Sequence, residues 1–222
     1  MISKSDEMQH APIVAVIGAT GRVGQHVFSG AVDRGFHVRA LVRDRNKLNG
    51  NENVEIIQGN ILDPVVVRTL IEGVDVVLSV LGSRPKEPMI VGPGTRVLVD
   101  AIRACDVAPR VVHISSLGIG DSYRQCRKLS WFFAVLMSRY VLRTVFRDME
   151  KAETILTSAS DISAVRVRPT VLKEKGASDY RCLSAQDPPG KFFIRRQTVA
   201  KFFLDAVTDR TWDGTAVSLF SA

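Results

Sequence analysis

The segment V-A-V-I-G-A-T-G-R-V-G, Val14–Gly24, decides how the rest of the chain is read. An apolar run enters three glycines, Gly18, Gly21 and Gly24, spaced G-x-x-G-x-x-G, and a helical pattern follows directly. A strand feeding such a turn aims the first amides of the next helix at one point. Those amides carry partial positive charge and have no partner inside the helix, so a phosphate fits there. Gly18 permits the tight turn, Gly21 lets a pyrophosphate reach the backbone, and Gly24 lets helix and strand pack closely. The spacing therefore points to dinucleotide binding.

Working outward, Ile13–Ile17 reads as a short buried strand. Val23, Val27, Ala31 and Val32 lie near one helical face up to about Arg34, and Gly35 ends that helix. Further strands are expected at His37–Val42, Val54–Gln58, Val74–Val80, Arg110–Ile114, Ile162–Arg166 and Ala216–Leu219. A helix is expected over Val65–Ile71, with Asp63 as N-cap and Pro64 at its first position. Others are expected over Thr95–Cys105, after a proline-bearing loop at Gly82–Gly94, over roughly Ser130–Thr157, and over about Thr198–Val207. Strands alternating with helices predict the α/β class: a Rossmann-like doubly wound parallel sheet with helices on both faces. Residues 1–12 read as a flexible leader. Residues 13–222 read as a single such domain with a small C-terminal extension on the substrate side.

The 222 residues are 45% hydrophobic and 24% charged, which supplies a large core and excludes global disorder. The net charge of +7 fits either a solubilising surface or attraction to an anionic cofactor or substrate. No clustered nucleic-acid motif accompanies it, so no nucleic-acid partner is expected. Cys105, Cys126 and Cys182 are odd in number and lack metal-ligand spacing, which suits reduced thiols and a cytoplasmic location. No apolar run is long enough to span a bilayer. His10, His26, His37 and His113 do not converge by spacing, so no metal is expected, and His113 within a strand reads as structural.

The end of the second strand selects the cofactor. An acid there bonds the ribose hydroxyl of NAD, whereas a basic residue favours the 2′-phosphate of NADP. The chain has Val42-Arg43-Asp44-Arg45, and Arg22 lies inside the glycine turn. Arg43 reads either as a planar fork for that phosphate or as a solvated turn residue. NADP is expected in preference to NAD, which Asp44 keeps open.

Five motifs occur in order: G-A-T-G-R-V-G (Gly18–Gly24), A-L-V-R-D (Ala40–Asp44), G-N-I-L-D (Gly59–Asp63), H-I-S-S-L-G (His113–Gly118) and V-R-P (Val167–Pro169). Together they resemble the atypical short-chain dehydrogenase/reductases with an NAD(P)H-binding Rossmann domain, a group that includes biliverdin-IXβ/flavin reductases and NmrA-like proteins. The resemblance covers about Ile13–Val207. Gly18, Ala19, Thr20, Gly21, Arg22, Val23 and Gly24 are the residues expected to hold the dinucleotide, with Arg43 at its 2′-phosphate. The resemblance implies that Asn60, where the family more often has Asp, and Ile61 border the adenine. Val80, Leu81 and Gly82 would pass under the nicotinamide-side ribose, and Pro169, Thr170 and Val171 would line the nicotinamide. Ser116 matches the hydroxyl that faces the substrate carbonyl in many members and is the candidate catalytic residue; its other reading is a strand-end hydroxyl bonded to backbone.

The Tyr-x-x-x-Lys pair of the typical family is missing. Tyr123, Tyr140 and Tyr180 are followed four residues later by Arg127, Thr144 and Ser184. If Glu153 is the Glu that often lies eight residues after that Tyr in extended members, Val145 and Met149 occupy the Tyr and Lys positions. Neither can donate a proton. The expected function is NADPH-dependent reduction of a conjugated small molecule of flavin, quinone or tetrapyrrole type. An NAD(P)H-sensing regulatory or assembly protein without turnover is the alternative, and sugar epimerase or dehydratase chemistry ranks third. Arg139, Arg143 and Arg147 recur every four residues, as do Phe132, Leu136 and Tyr140. Residues 131–147 therefore read as a packed helix with a solvated basic side, or as a peripheral or protein docking face. Asp148 and Glu153 are expected to pair with neighbouring basic residues or solvent.

Overall fold

The computed structural model describes residues 11–50, 52–83, 87–130 and 142–222. In chain order it contains β1 (Ile13–Ile17), α1 (Gly24–Asp33), β2 (His37–Val42), β3 (Val54–Gln58), α2 (Pro64–Ile71), β4 (Val76–Ser79), α3 (Val91–Arg103) and β5 (Arg110–Ile114). Then follow α4 (Tyr123–Leu129), α5 (Arg143–Ser158), β6 (Ala164–Pro169), β7 (Val171–Lys173), β8 (Tyr180–Leu183), β9 (Phe193–Arg195), α6 (Arg196–Asp205) and β10 (Ala216–Ser221).

Eight strands form one sheet in the order β3-β2-β1-β4-β5-β6-β10-β8. All neighbours are parallel except the β8–β10 pair. Strands buried on both faces need apolar side chains pointing both ways, which the β-branched runs provide. On one face Val14, Val16, Leu78 and Val112 pack against Val27 and Ala31 of α1 and Phe203 of α6. On the other, Ala15, Ile17, Val77 and Val111 pack against Val67 of α2, Leu98 of α3 and Ala152 of α5. The doubly wound parallel sheet expected from the sequence is the fold of the chain. Asp63 caps α2 as its position suggests, accepting from the Val65 amide at 2.9 Å.

Several boundaries differ from the sequence expectation. Helix α3 begins at Val91, so Pro93 and Gly94 lie in its first turn. Proline costs nothing there, because first-turn amides have no helical acceptor. Gly94 is needed because a Cβ would sit 2.8 Å from Cγ1 of Ile61. Of the long helix expected near Ser130–Thr157, the described part is α5, which begins at Arg143, while Ser130 is extended, with φ −163° and ψ 104°. Phe132, Leu136, Arg139 and Tyr140 lie outside the described residues; Arg143 and Arg147 are exposed on α5. Strand β6 runs to Pro169 because its pairing with β5 and β10 sets its ends. Strands β7, β8 and β9 were not expected, being too short for a period to show. None of the described helices is long and apolar enough to cross a membrane.

Candidate functional site

The strand order reverses between β1 and β4, which opens a crevice at their C-terminal ends. The glycine turn fills the floor of that crevice. Gly18 adopts φ +86°, and a Cβ on it would lie 2.8 Å from the Val80 carbonyl oxygen. A Cβ on Gly24 would lie 1.9 Å from the Gly18 oxygen, so α1 starts directly against the turn. The Gly21 amide donates to the Gly18 oxygen at 2.9 Å, and the Gln25 amide to the Gly21 oxygen at 2.9 Å. Within 4 Å, a Cβ on Gly21 would meet only that Gly18 oxygen, at 3.1 Å, so its outer side is open. Ala19 and Val23 are buried beneath the turn, while Thr20 and Arg22 stand on its rim.

The amides of Arg22, Val23 and Gly24 donate to no backbone acceptor among the described residues. Helix α1 has no side-chain cap and no acid in its first turn. Among the described residues, nothing in that first turn neutralises its positive end. Helix α3 shows the opposite case. There the buried Asp148 carboxylate accepts from the amides of Val91 and Gly92, both at 2.9 Å, and from the Ser83 hydroxyl at 2.6 Å. Asp148 thus caps a helix, and does not pair with a basic neighbour or solvent as expected. The open turn, the unused amides and the uncapped dipole fit a pyrophosphate.

Around this floor the other candidate residues take distinct positions. Arg43 is exposed just beyond β2 and forms no ion pair with a described residue. Asp44 turns inward: its Oδ1 accepts from the Asn46 amide at 3.1 Å. Asn60 likewise closes its own turn, accepting from the Leu62 amide at 3.1 Å, and Ile61 is buried beside Gly94. The Val80 amide donates to the Ile17 oxygen at 2.9 Å. Val80 and Leu81 are buried, whereas Gly82 is exposed with open space where a Cβ would stand.

The ends of β5 and β6 are joined by backbone bonds. The Ser115 amide donates to the Val167 oxygen at 2.6 Å, and the Leu117 amide to the Pro169 oxygen at 3.0 Å. This brings Ser116 alongside Pro169 and Thr170, with Val171 entering β7. The Ser116 hydroxyl donates to the Leu117 oxygen at 3.2 Å, a local backbone bond. Two hydroxyls nearby are buried without a partner among the described residues, those of Ser115 and Thr170. Ser115 escapes a sequence reading because only its depth in the structure separates it from Ser116. On α5, Val145 is buried and Met149 half-buried.

Beneath these groups lies a buried polar layer. The His113 Nδ1 is 3.2 Å from the Ser79 hydroxyl, and its Nε2 has no partner among the described residues. Burial pulls its pKa down to about 4, against the attraction of Glu153, so the imidazole is neutral at physiological pH. Arg168 donates to both carboxylate oxygens of Glu153, at 2.9 and 2.5 Å, and also to Asp121. Burial opposes its charge, but hydrogen bonding and attraction from Glu153, then Asp121, outweigh that and raise its pKa. Arg168 thereby ties β6 to α5 and to the loop that carries Ser116.

The profile of a family described as NAD(P)H-binding matches residues 18–210. Among curated relatives, the photosystem II assembly factor Ycf39 of Cyanophora paradoxa is 26% identical over 194 residues, covering 72% of this chain and 60% of that protein. The oxidoreductase stcQ of Emericella nidulans is 26% identical over 207 residues, covering 82% of this chain and 73% of that one. The chain thus spans less than two thirds of the length of the first relative. Among solved structures, an anaerobillin reductase of Escherichia coli superposes with a TM-score of 0.78 at 20% identity, covering 94% of this chain and 97% of that one. A short-chain dehydrogenase/reductase of Veillonella parvula, solved in complex with NADP, gives a TM-score of 0.76 at 17% identity, covering 95% and 94%.

Proposed function

The chain belongs to the NAD(P)H-binding family, and from that premise we propose that it is an NADPH-dependent reductase of a conjugated small molecule. The observation that carries this reading is the uncapped N-terminus of α1 behind Gly18–Gly24, with the guanidinium of Arg43 beyond β2 in no ion pair with a described residue. Amides of residues 22–24 and the α1 dipole would hold the pyrophosphate. Arg43 would grip the 2′-phosphate, since Asp44 spends an oxygen on the Asn46 amide. Asn60 and Ile61 would border the adenine, Val80–Gly82 the ribose, and Pro169, Thr170 and Val171 the nicotinamide. When bound, the reduced cofactor supplies the hydride.

What the chain adds is orientation. Ser116, or the Ser115 hydroxyl behind it, which has no partner among the described residues, would orient the acceptor. Val145 and Met149, taken as the positions of the family's Tyr and Lys, offer no proton. The acceptor that suits such a site is electron-poor and conjugated, of flavin, quinone or tetrapyrrole type, because water can protonate it after reduction. A second reading, a dinucleotide sensor or assembly protein without turnover, is favoured by the same missing proton donor and by the likeness to an assembly factor.

Titration with NADPH and NADH, followed by assays on flavin, quinone and biliverdin, separates the readings. Arg43→Ala is expected to raise the Kd for NADPH about tenfold and to leave that for NADH within about twofold. Equal losses would remove Arg43 as the reader of the phosphate. Tight NADPH binding with no turnover on any acceptor would favour the sensor. Failure to bind either dinucleotide would sink both readings.

A further inference from the structure

We propose that the outward face of the β7–β9 ribbon docks a planar conjugated molecule bearing a carboxylate or phosphate, with Phe193 against its ring system and Lys173 and Arg195 on its anionic group. This rests on the reductase reading and specifies the substrate class for that site.

The ribbon's register pairs Val171 with Phe193, Leu172 with Ile194, and Lys173 with Arg195. Strand side chains alternate, so the middle pair points one way and the outer pairs the other. Leu172 and Ile194 face the core, where Ile194 is fully buried. Val171, Phe193, Lys173 and Arg195 therefore share the opposite face. Their proximity is direct: Lys173 Nζ lies 5.2 Å from the centre of the Phe193 ring. Gly176 backs both cations, for a Cβ on it would stand 3.1 Å from Lys173 Cε and 3.6 Å from Arg195 Cβ.

Phe193 is 45% exposed, an unusual state for a large aromatic. Phe192 lies edge-on to it, with ring centres 4.8 Å apart. No carboxylate among the described residues pairs with these cations. Arg196 takes Glu174, and Lys201 takes Asp179 and Asp205, but Lys173 and Arg195 have no ion pair with a described residue. Arg195 also borders a groove of about 430 Å³ between α1 and α6, to which His26, Asp33, Arg34 and Lys201 contribute. A flat π system would cover the ring, and a pendant anion would meet Lys173 and Arg195 and extend toward the groove. The ribbon begins at Val171, directly after Thr170, where the proposed nicotinamide wall ends. The Val171 amide donates to the Phe192 oxygen at 3.2 Å, which sets the aromatic pair beside that wall.

Riboflavin and its 5′-phosphate, FMN, carry the same ring system and differ in one phosphate, so they separate the two elements of the face. Flavin fluorescence quenching is measured on protein saturated with NADP⁺. FMN is expected to bind at least about tenfold more tightly than riboflavin. Lys173→Ala and Arg195→Ala are each expected to weaken FMN about tenfold while leaving riboflavin within about twofold. Phe193→Ala is expected to weaken both flavins alike. Unchanged NADP⁺ affinity in each variant marks an intact fold. Equal affinity for the two flavins, no binding of either, or cation variants with unaltered FMN affinity would overturn the proposal. Those outcomes leave NADP⁺ binding untouched, whereas a protein that binds no NADP⁺ refutes the reductase reading itself.

Discussion

His113 makes the fold sensitive to acid in a way that can be calculated. Its side chain is fully buried between β4 and β6, bonded only to the Ser79 hydroxyl among the described residues. Burial holds its pKa at about 4, against an ordinary value of 6.5. The unfolded chain therefore takes up a proton below about pH 6.5 that the folded chain refuses until near pH 4. For a base with a depressed folded pKa, stability is fully present above the unfolded value and is lost as the pH falls toward the folded one. Linkage puts the loss at about 2 kcal/mol between pH 7 and pH 5, rising to about 3 kcal/mol at pH 4. His113→Leu keeps the volume and cannot titrate. It forfeits the Ser79 bond, a roughly constant penalty of about 1 kcal/mol. Urea unfolding of both proteins at pH 7, 6 and 5 measures the difference. The wild type is expected to lose its advantage and to fall below the variant by pH 5. A difference that stays constant over this range would refute the reasoning, since it would mean that His113 is protonated equally in both states.

Two further substitutions test the frame of the site. Gly24→Ala drives a methyl group into the Gly18 oxygen, 1.9 Å away, where only backbone can yield. It should destabilise the fold by about 3 kcal/mol in denaturant titration and weaken NADPH at least about tenfold, and a loss below about 1 kcal/mol would show that the turn relaxes easily. Asp148→Ala leaves the amides of Val91 and Gly92 without their buried acceptor. The expected cost is about 3 kcal/mol, with Asp148→Asn recovering part of it; a null effect on the unfolding midpoint would mean that water replaces the cap.

The parallel core was legible because its signals are local. Apolar runs such as Val14–Ile17 and Val54–Gln58 declare strands, Asp63-Pro64 declares a helix start, and Gly18–Gly24 declares the turn. Nearest-neighbour sterics and capping decide these before any tertiary contact exists. The start of α3 was not legible, because Pro93 and Gly94 read as breakers until an acid 57 residues away supplies the cap for Val91. Nor was the β7–β9 ribbon, whose strands have three residues each and gain their alternation only from a core beneath Leu172 and Ile194.

By itself the amino-acid sequence determined the α/β fold and the dinucleotide-binding turn, because periodicity, glycine placement and capping are short-range properties. The tertiary structure alone decided which charged groups are free for a ligand. It spent Asp148 on a helix end and Arg168 on Glu153, and left Arg43, Lys173 and Arg195 without an acidic partner among the described residues. Whether a charge is neutralised depends on what folds against it across tens of residues, and no local pattern carries that distance.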